Sequence, residues 1–506
     1  MAYTIYELDL RFNGRRSIFK EETVQYFCEP GSRNGRLPVS ISTSHGFEHD
    51  AHHAGSVQAS PFRPAADDTI RVGSRRWFLQ TGAAGLGGLS LAELLAARQA
   101  SAAGGGSGSN NRKAVILFWL SGGPSQLDMW DPKPKAPREV RGPFDTISTA
   151  LPGVRFGEHL PMQAAMADKL SILRAVDCSA SNHTPITMQA GNPLARRTND
   201  GRDGGGYPSM GSVVAKFRGG NDVDMPGFVG LAKSWTSDVY GAGEMGPAHE
   251  PVKGLELTGR FALPKGIAAA RLADRAGLRQ EFDRFRKDLD QRNTLDRLDQ
   301  NQQRAYQMVV SGKVQKAFDM SREDAVTRDA YGRCSVGEKA LLARRLVEHG
   351  VTFVLVSGAW GYFDHHGDDV RWGGISKGLA PLSPKVDRAM ATLVTDLETR
   401  GLLDDTFVMM MGEFGRTPKI NEKAGRHHWT KVMSMVVAGG GMPAGQVIGE
   451  SDRNGSSVKA GAVRPQDLAA TTFRHLGIGL DTHWTNRRGR PIPIVTEGGR
   501  PVPELL

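Results

Sequence analysis

The chain has 506 residues, too many for one small core, and its 62 glycines and 39% hydrophobic content fit a loop-rich globular protein. No uninterrupted apolar run reaches the ~20 residues that span a bilayer, and only Cys178 and Cys334 lie beyond residue 102, which excludes a disulfide framework and a cysteine-based metal site. The formal net charge is +10; the first 102 residues hold 11 Lys/Arg against 10 Asp/Glu, so about +9 falls on the remainder (10 − 1) and favours anionic partners, while no basic run interleaved with aromatics points to nucleic acid.

Residues 1–73 are polar and irregular, with His45, His49, His52 and His53 scattered among Ser, Gly and Pro. That composition suits disorder or an over-extended gene start better than a metal-binding tract. Ser74-Arg75-Arg76-Trp77-Phe78-Leu79-Gln80 then leads into a mild Gly/Ala/Leu segment, and small residues follow at Ala100-Ser101-Ala102. An arginine pair ahead of a weak apolar stretch is the pattern of twin-arginine export, so residues 74–102 read as a signal segment and the destination as periplasmic or extracellular. A Gly/Ser/Asn linker covers 103–111, and the folded domain is expected over 112–506.

Within it, Ala114–Leu120 and Leu170–Val176 read as buried strands, Pro208–Phe217 as a helix and Gly227–Leu231 as a short strand. A helix with Pro185 in its first turn follows Cys178-Ser-Ala-Ser181-Asn182-His183-Thr184. Ala268–Glu323 is charged and nearly free of Gly and Pro, and predicts a helical insertion over about 266–330. Helix Val336–His349 feeds strand Val351–Val356, helix Leu382–Arg400 feeds strand Thr406–Met411, and strand Lys431–Ala438 and helix Pro465–Leu476 follow. Strands alternating with helices at this spacing define an α/β class with a mainly parallel sheet layered between helices.

In such sheets chemistry collects where strands end. After Thr406–Met411 come Glu413, Arg416, His427 and His428; after Val351–Val356 comes Trp360 to Asp369, with Asp364, His365 and His366. Imidazoles and carboxylates from two loops are the donor set of Zn, Mn or Fe. Asp364, His366, Glu413 and His428 are the metal candidates, with Asp128 after the first strand as a weaker one. Arg416 either clamps an anion through its two-donor fork or pairs with Glu413. Ser181 and Thr184, just ahead of a helix, are placed either as hydroxyl nucleophiles or as caps.

Ser121-Gly-Gly-Pro-Ser, the Asp131-Pro-Lys133-Pro turn, Phe363-Asp-His-His-Gly, Gly412-Glu-Phe-Gly-Arg-Thr-Pro and Gly425-Arg-His-His-Trp together resemble the exported bacterial family called domain of unknown function 1501, common in planctomycete-type bacteria. The likeness runs from the twin arginines to Gly489-Arg-Pro. It implies an alkaline phosphatase/sulfatase-like fold with a two-metal site at the C-terminal edge of the sheet. On that pattern Asp364 and His366 stand as a metal pair with His428 as third ligand. Glu413 takes the place of an Asp-His pair but is followed by Phe414, and Ser121 and Gly122 replace a first-strand Asp, with Asp128 a displaced substitute. Gly191 points back to Ser181 as nucleophile, and no Cys-x-Pro-x-Arg follows Cys178, so a formylglycine is not implied.

The expectation is an exported hydrolase of phosphate or sulfate esters, dependent on a divalent metal (Zn, Mn or Mg). Ser181, Thr184 or a metal-bound water would attack, Arg416 would hold the anion, and the substrate would be an anionic small molecule or polymer. The alternative is a non-catalytic exported binding or scaffold protein with a degenerate site. The clustered His and Asp favour the first; the missing first-strand Asp and the Glu413-Phe414 pair favour the second.

Overall fold

The computed structural model describes residues 11–12, 15–16, 112–195, 204–232, 238–256, 311–359 and 361–506. The chain divides into two units, residues 1–105 and 106–506. In the first, Arg11–Phe12 pairs antiparallel with Arg15–Arg16, a short ribbon in a region the composition reads as irregular. The signal segment, the linker, Trp360 and most of the expected insertion lie outside the described residues.

The second unit is built on an eight-stranded sheet. Its strands are β1 (Ala114–Trp119), β2 (Ser171–Val176), β3 (Phe228–Leu231), β4 (Val252–Lys253), β5 (Phe353–Ser357), β6 (Thr406–Met411), β7 (Met433–Gly439) and β8 (Val447–Ile448), in the order β8-β2-β7-β6-β1-β5-β3-β4. All pairings are parallel except those of β7, which runs against both β6 and β2. The sheet is therefore mainly parallel, with one reversed strand.

Alternation along each strand explains the layers. Ala114, Ile116 and Phe118 of β1 enter one core, and Val115, Leu117 and Trp119 enter the other. Phe407, Met409 and Met411 of β6 likewise oppose Val408 and Met410. Both faces are apolar, so both must be covered. Helices α1 (Pro161–Ala165), α4 (Ser335–Glu348) and α5 (Ala380–Thr399) supply one face; α2 (Ile186–Ala190), α3 (Met210–Phe217) and α6 (Pro465–His475) supply the other. The result is a three-layer α/β domain, as the alternation of elements predicts.

The central strands β6, β1 and β5 end side by side, with Met411, Trp119 and Ser357 in register. Their loops touch because glycine lets them. Gly122 (φ +105°) lies so close to the Asp364 amide that a Cβ would sit 2.5 Å from its nitrogen, and a Cβ on Gly123 (φ +88°) would sit 2.6 Å from the Phe414 ring. The Gly122 amide is buried and donates to Glu413 Oε1 at 2.8 Å.

Candidate metal centre

Three loops meet above β1, β5 and β6. The β2 loop brings His183, the β5 loop brings Asp364 and His366, and the segment after β6 brings Glu413 and His428. One ligand atom each from His183, Asp364 and His428 lies within 4.8 Å of the others. Asp364 is the hub: Oδ1 is 3.0 Å from His428 Nε2, and Oδ2 is 3.4 Å from His183 Nε2. Ligand atoms about 2.0–2.2 Å from a zinc stand roughly 3–3.6 Å apart, so these spacings suit a shared ion. All three side chains are part-exposed, with His183 25%, Asp364 18% and His428 32% accessible, which leaves the group open to solvent.

The surrounding contacts favour ligand forms. Burial alone would raise the Asp364 pKa, but hydrogen bonds from His183, His366 and His428 and the nearby Arg416 charge hold it well below the usual carboxylate range. Burial, with the charges of Arg416 and His183, pushes His428 down, toward the neutral form a metal needs. His183 behaves differently. Burial opposes its protonation, yet the carboxylates of Asp364 and Glu413 outweigh that and lift its pKa to about 9. Its Nδ1 lies 3.0 Å from Glu413 Oε1, where an imidazole can only donate, so Nε2 is the nitrogen turned to Asp364. A carboxylate behind a ligating histidine is a recurrent second layer in metal sites. Among the described residues the buried Glu413 Oε2 has no hydrogen-bond partner, so it remains able to accept beside His183.

The sequence named some of these residues and misplaced others. Asp364, His366 and His428 do meet, with His366 Nε2 3.0 Å from Asp364 Oδ1 and 2.8 Å from His428 Nε2. Glu413 lies one step back, on His183. The doublets are not units: His365 is buried, its Nδ1 facing the Trp372 carbonyl at 3.1 Å, and its pKa is pushed down to about 4 by burial and Arg416. Asp128 is a correction. It is buried in a two-point pair with Arg426 at 2.8 and 3.0 Å and accepts from Ser125 at 2.5 Å, so it is committed to packing rather than to an ion.

Arg416 is a second correction. It is 1% exposed, and it donates to Asp364 Oδ1 at 2.6 Å and to the carbonyls of Gly122, Gly123, Phe363 and Arg426. A fork spent on the protein's own backbone cannot clamp a substrate; it orients Asp364. Its partner is not Glu413 either. Ser181 and Thr184 keep their hydroxyls within their own segment, the first toward the Asn182 carbonyl at 3.4 Å and the second on Asn182 Oδ1 at 2.6 Å. The residue between them, His183, is the one that enters the site. Its signal in the sequence is that it is the one imidazole of that stretch, in a chain whose other two loops carry metal-type residues.

Asp238 was also missed. It is fully buried and faces the hydroxyls of Ser121 and Ser357 without a hydrogen bond of standard geometry, and burial outweighs both hydroxyls to raise its pKa to about 6. An aspartate in a short stretch between motifs carries no sequence signal of this burial.

A three-layer α/β domain with a histidine–aspartate cluster over its central strand ends belongs among proteins whose architecture places chemistry at the C-terminal edge of a sheet. The chain belongs to the DUF1501 family, described as proteins of unknown function, which it matches over residues 112–506. No curated protein matches it. Among solved structures it is similar to Ps i-CgsB in complex with k-i-k-neocarrahexaose (14% identity, 72% of each chain, TM-score 0.36). It is also similar to the PsFucS1 sulfatase from Pseudoalteromonas sp. (14% identity, 72% of this chain and 68% of that one, TM-score 0.33). A third is the phosphonate monoester hydrolase SpPMH from Silicibacter pomeroyi (12% identity, 77% and 74%, TM-score 0.34).

Proposed function

We propose that this chain is an exported, metal-dependent hydrolase of phosphate or sulfate esters, acting on an anionic small molecule or polymer. The observation that carries the reading is the convergence of His183, Asp364 and His428, drawn from three separate loops, at an open strand edge. Two imidazoles and a carboxylate suit Zn or Mn better than Mg, which prefers a shell of oxygens. A bound ion supplies Lewis-acid polarisation of an ester oxygen and activation of water. The chain does the rest: Arg416 fixes Asp364, Glu413 fixes His183, and the loop glycines let the three segments approach. With the Ser181 and Thr184 hydroxyls engaged locally, the reading assigns attack to water.

The binding or scaffold reading keeps one observation in its favour: Arg416, the cation expected to hold an anion, is sealed beneath the site. The test is metal analysis of protein purified without chelator, then assays on phosphomonoester, phosphodiester and sulfate ester substrates with Zn, Mn and Mg in turn. The expected result is bound metal and turnover of one ester class, both lost in His428→Ala. A wild-type protein that holds no metal and turns over none of these esters overturns the hydrolase reading in favour of the scaffold.

A further inference from the structure

Residues 482–496 carry Arg487, Arg488 and Arg490 and no Asp or Glu. They form a β-ribbon in which His483–Thr485 pairs antiparallel with Pro491–Pro493. Trp484 is buried and meets the Tyr207 ring edge-on, with centroids 6.4 Å apart. The turn from Asn486 to Arg490 is pinned from within. Asn486 Oδ1 accepts the Arg488 and Arg490 amides, both at 3.0 Å, and the Asn486 amide donates to the Arg490 carbonyl at 3.0 Å. The Arg487 amide donates to Glu244 Oε2 at 3.3 Å, which ties the turn to the domain. Arg487, Arg488 and Arg490 are exposed, and among the described residues none of their guanidiniums pairs with an acid. Like charges held on one fixed turn repel each other, and an anion from outside relieves that repulsion.

Helix α3 tells where the ribbon sits. Asn221, just past α3, donates to the Lys113 carbonyl at 3.0 Å, next to the start of β1. So α3 ends at the edge where the strands begin, and it starts toward the edge where they end. Tyr207 lies just ahead of that start and packs on Ile186, Ala190, Ala195 and Tyr240, the cluster around α2, the helix that follows His183. Through Trp484 and Tyr207 the arginine turn is carried on the side of the domain that holds the site.

The ribbon is built against other partners. Ile494 donates to the Thr482 carbonyl and Asn486 to the Arg490 carbonyl, so the backbone nitrogens of residues 491 and 493 face outward; both are proline, and no added strand can pair there. Trp484 and Ile494 are buried and Ile492 packs on the same core. The turn thus offers no apolar patch for a protein or a lipid surface, and no exposed Trp, Tyr or Phe on which a base could stack. What it does offer is a set of two-donor forks, which suits anionic groups repeated along a flexible chain. We propose that Arg487, Arg488 and Arg490 form a docking surface for a sulfated polysaccharide. The choice of a sulfate-bearing chain rests on the hydrolase reading; the surface does not. Arg416 is sealed below the site, and these guanidiniums supply the exposed positive charge that it does not. They narrow the proposed substrate from small anions to polymers.

The experiment measures binding of dextran sulfate to the full-length protein by affinity electrophoresis at about 0.15 M salt, beside uncharged dextran and phosphatidylglycerol vesicles. Wild type is expected to bind dextran sulfate and neither of the others. Combining Arg487→Ser, Arg488→Ser and Arg490→Ser is expected to weaken that binding about a hundredfold and to flatten its salt dependence. A control that combines Arg138→Ser, Lys385→Ser and Arg453→Ser, all exposed, removes the same charge elsewhere. It is expected to weaken binding less than about threefold, because distant surface charges are screened. No binding by wild type, an equal loss in the two triple variants, or vesicles bound through these arginines in place of dextran sulfate would overturn the proposal. Kinetics separate it from the hydrolase reading. If the protein releases sulfate, the arginine variant is expected to raise KM for the polymer and to leave kcat and the turnover of a small aryl sulfate unchanged; an unchanged polymer KM counts against the surface. If the protein fails the ester assays yet binds dextran sulfate through these arginines, the hydrolase reading falls and the docking surface stands.

Discussion

His183 lies between two carboxylates, and the proposed metal would compete with its proton for Nε2. Because its pKa is raised from 6.5 to about 9, the protonated ring stabilises the metal-free fold below pH 6.5, and that contribution is lost as pH rises through 9. Metal binding must expel the same proton, so zinc affinity should rise roughly tenfold per pH unit between about 7 and 9, measured by competition titration. A flat profile would mean that His183 does not ligate. Asp128 and Asp364 separate packing from ligation. Asp128→Ala leaves buried Arg426 unpaired and should cost about 3–5 kcal/mol in denaturant unfolding while zinc binding persists in the folded fraction. Asp364→Asn should remove zinc with a smaller loss of stability. The two aspartates look alike in sequence, each a few residues beyond a strand. What divides them is Arg426, 298 residues from Asp128, and no local pattern reports a partner at that distance.

Helix α1 is five residues long, and the amides of its first turn are held by one side chain of another helix. Asp387 of α5 accepts the backbone amides of Met162 and Gln163, both at 2.8 Å, at the first turn of α1. Burial outweighs those two amides and raises the Asp387 pKa to about 6. A raised carboxyl pKa stabilises the fold below 3.8 and loses that contribution as pH climbs through 6. Asp387→Asn should abolish this pH-dependent part, so wild type should lose stability relative to the variant between pH 4 and 7 in denaturant midpoints. A constant difference would show that Asp387 does not titrate there. The strands were legible because both faces are buried, which leaves continuous apolar runs such as Thr406–Met411. The reversal of β7 was not: Met433–Gly439 is as apolar as its neighbours, and apolarity does not encode direction.

For the whole molecule, export remains a proposal carried by Arg75-Arg76 ahead of a weak apolar segment. Changing both to Lys should hold the protein in the cytoplasm with residues 81–102 uncleaved, as read by fractionation and mass spectrometry; normal export of the double variant would refute it. Among the described residues no helix is long and apolar enough to cross a membrane. The positive balance over the domain agrees with an anionic substrate but does not name one. The paired motifs Phe363-Asp-His-His-Gly and Gly425-Arg-His-His-Trp mark two of the loops that meet over the sheet edge. They do not tell a ligand from its buttress, because that depends on distant partners such as Glu413 behind His183.

The place of β1 in the sheet has a consequence for synthesis. Its neighbours are β5 and β6, which begin at Phe353 and Thr406, so the first strand of this sheet waits for 234 further residues (353 − 119) before either edge is paired. An unpaired apolar strand of six buried residues is an adhesive surface toward other chains. On the proposed metal reading, a nascent chain could not hold an ion before His428 has left the ribosome. The protein should therefore rely on a holding chaperone during translation, and the proposed ion would be taken up as one of the last events of folding.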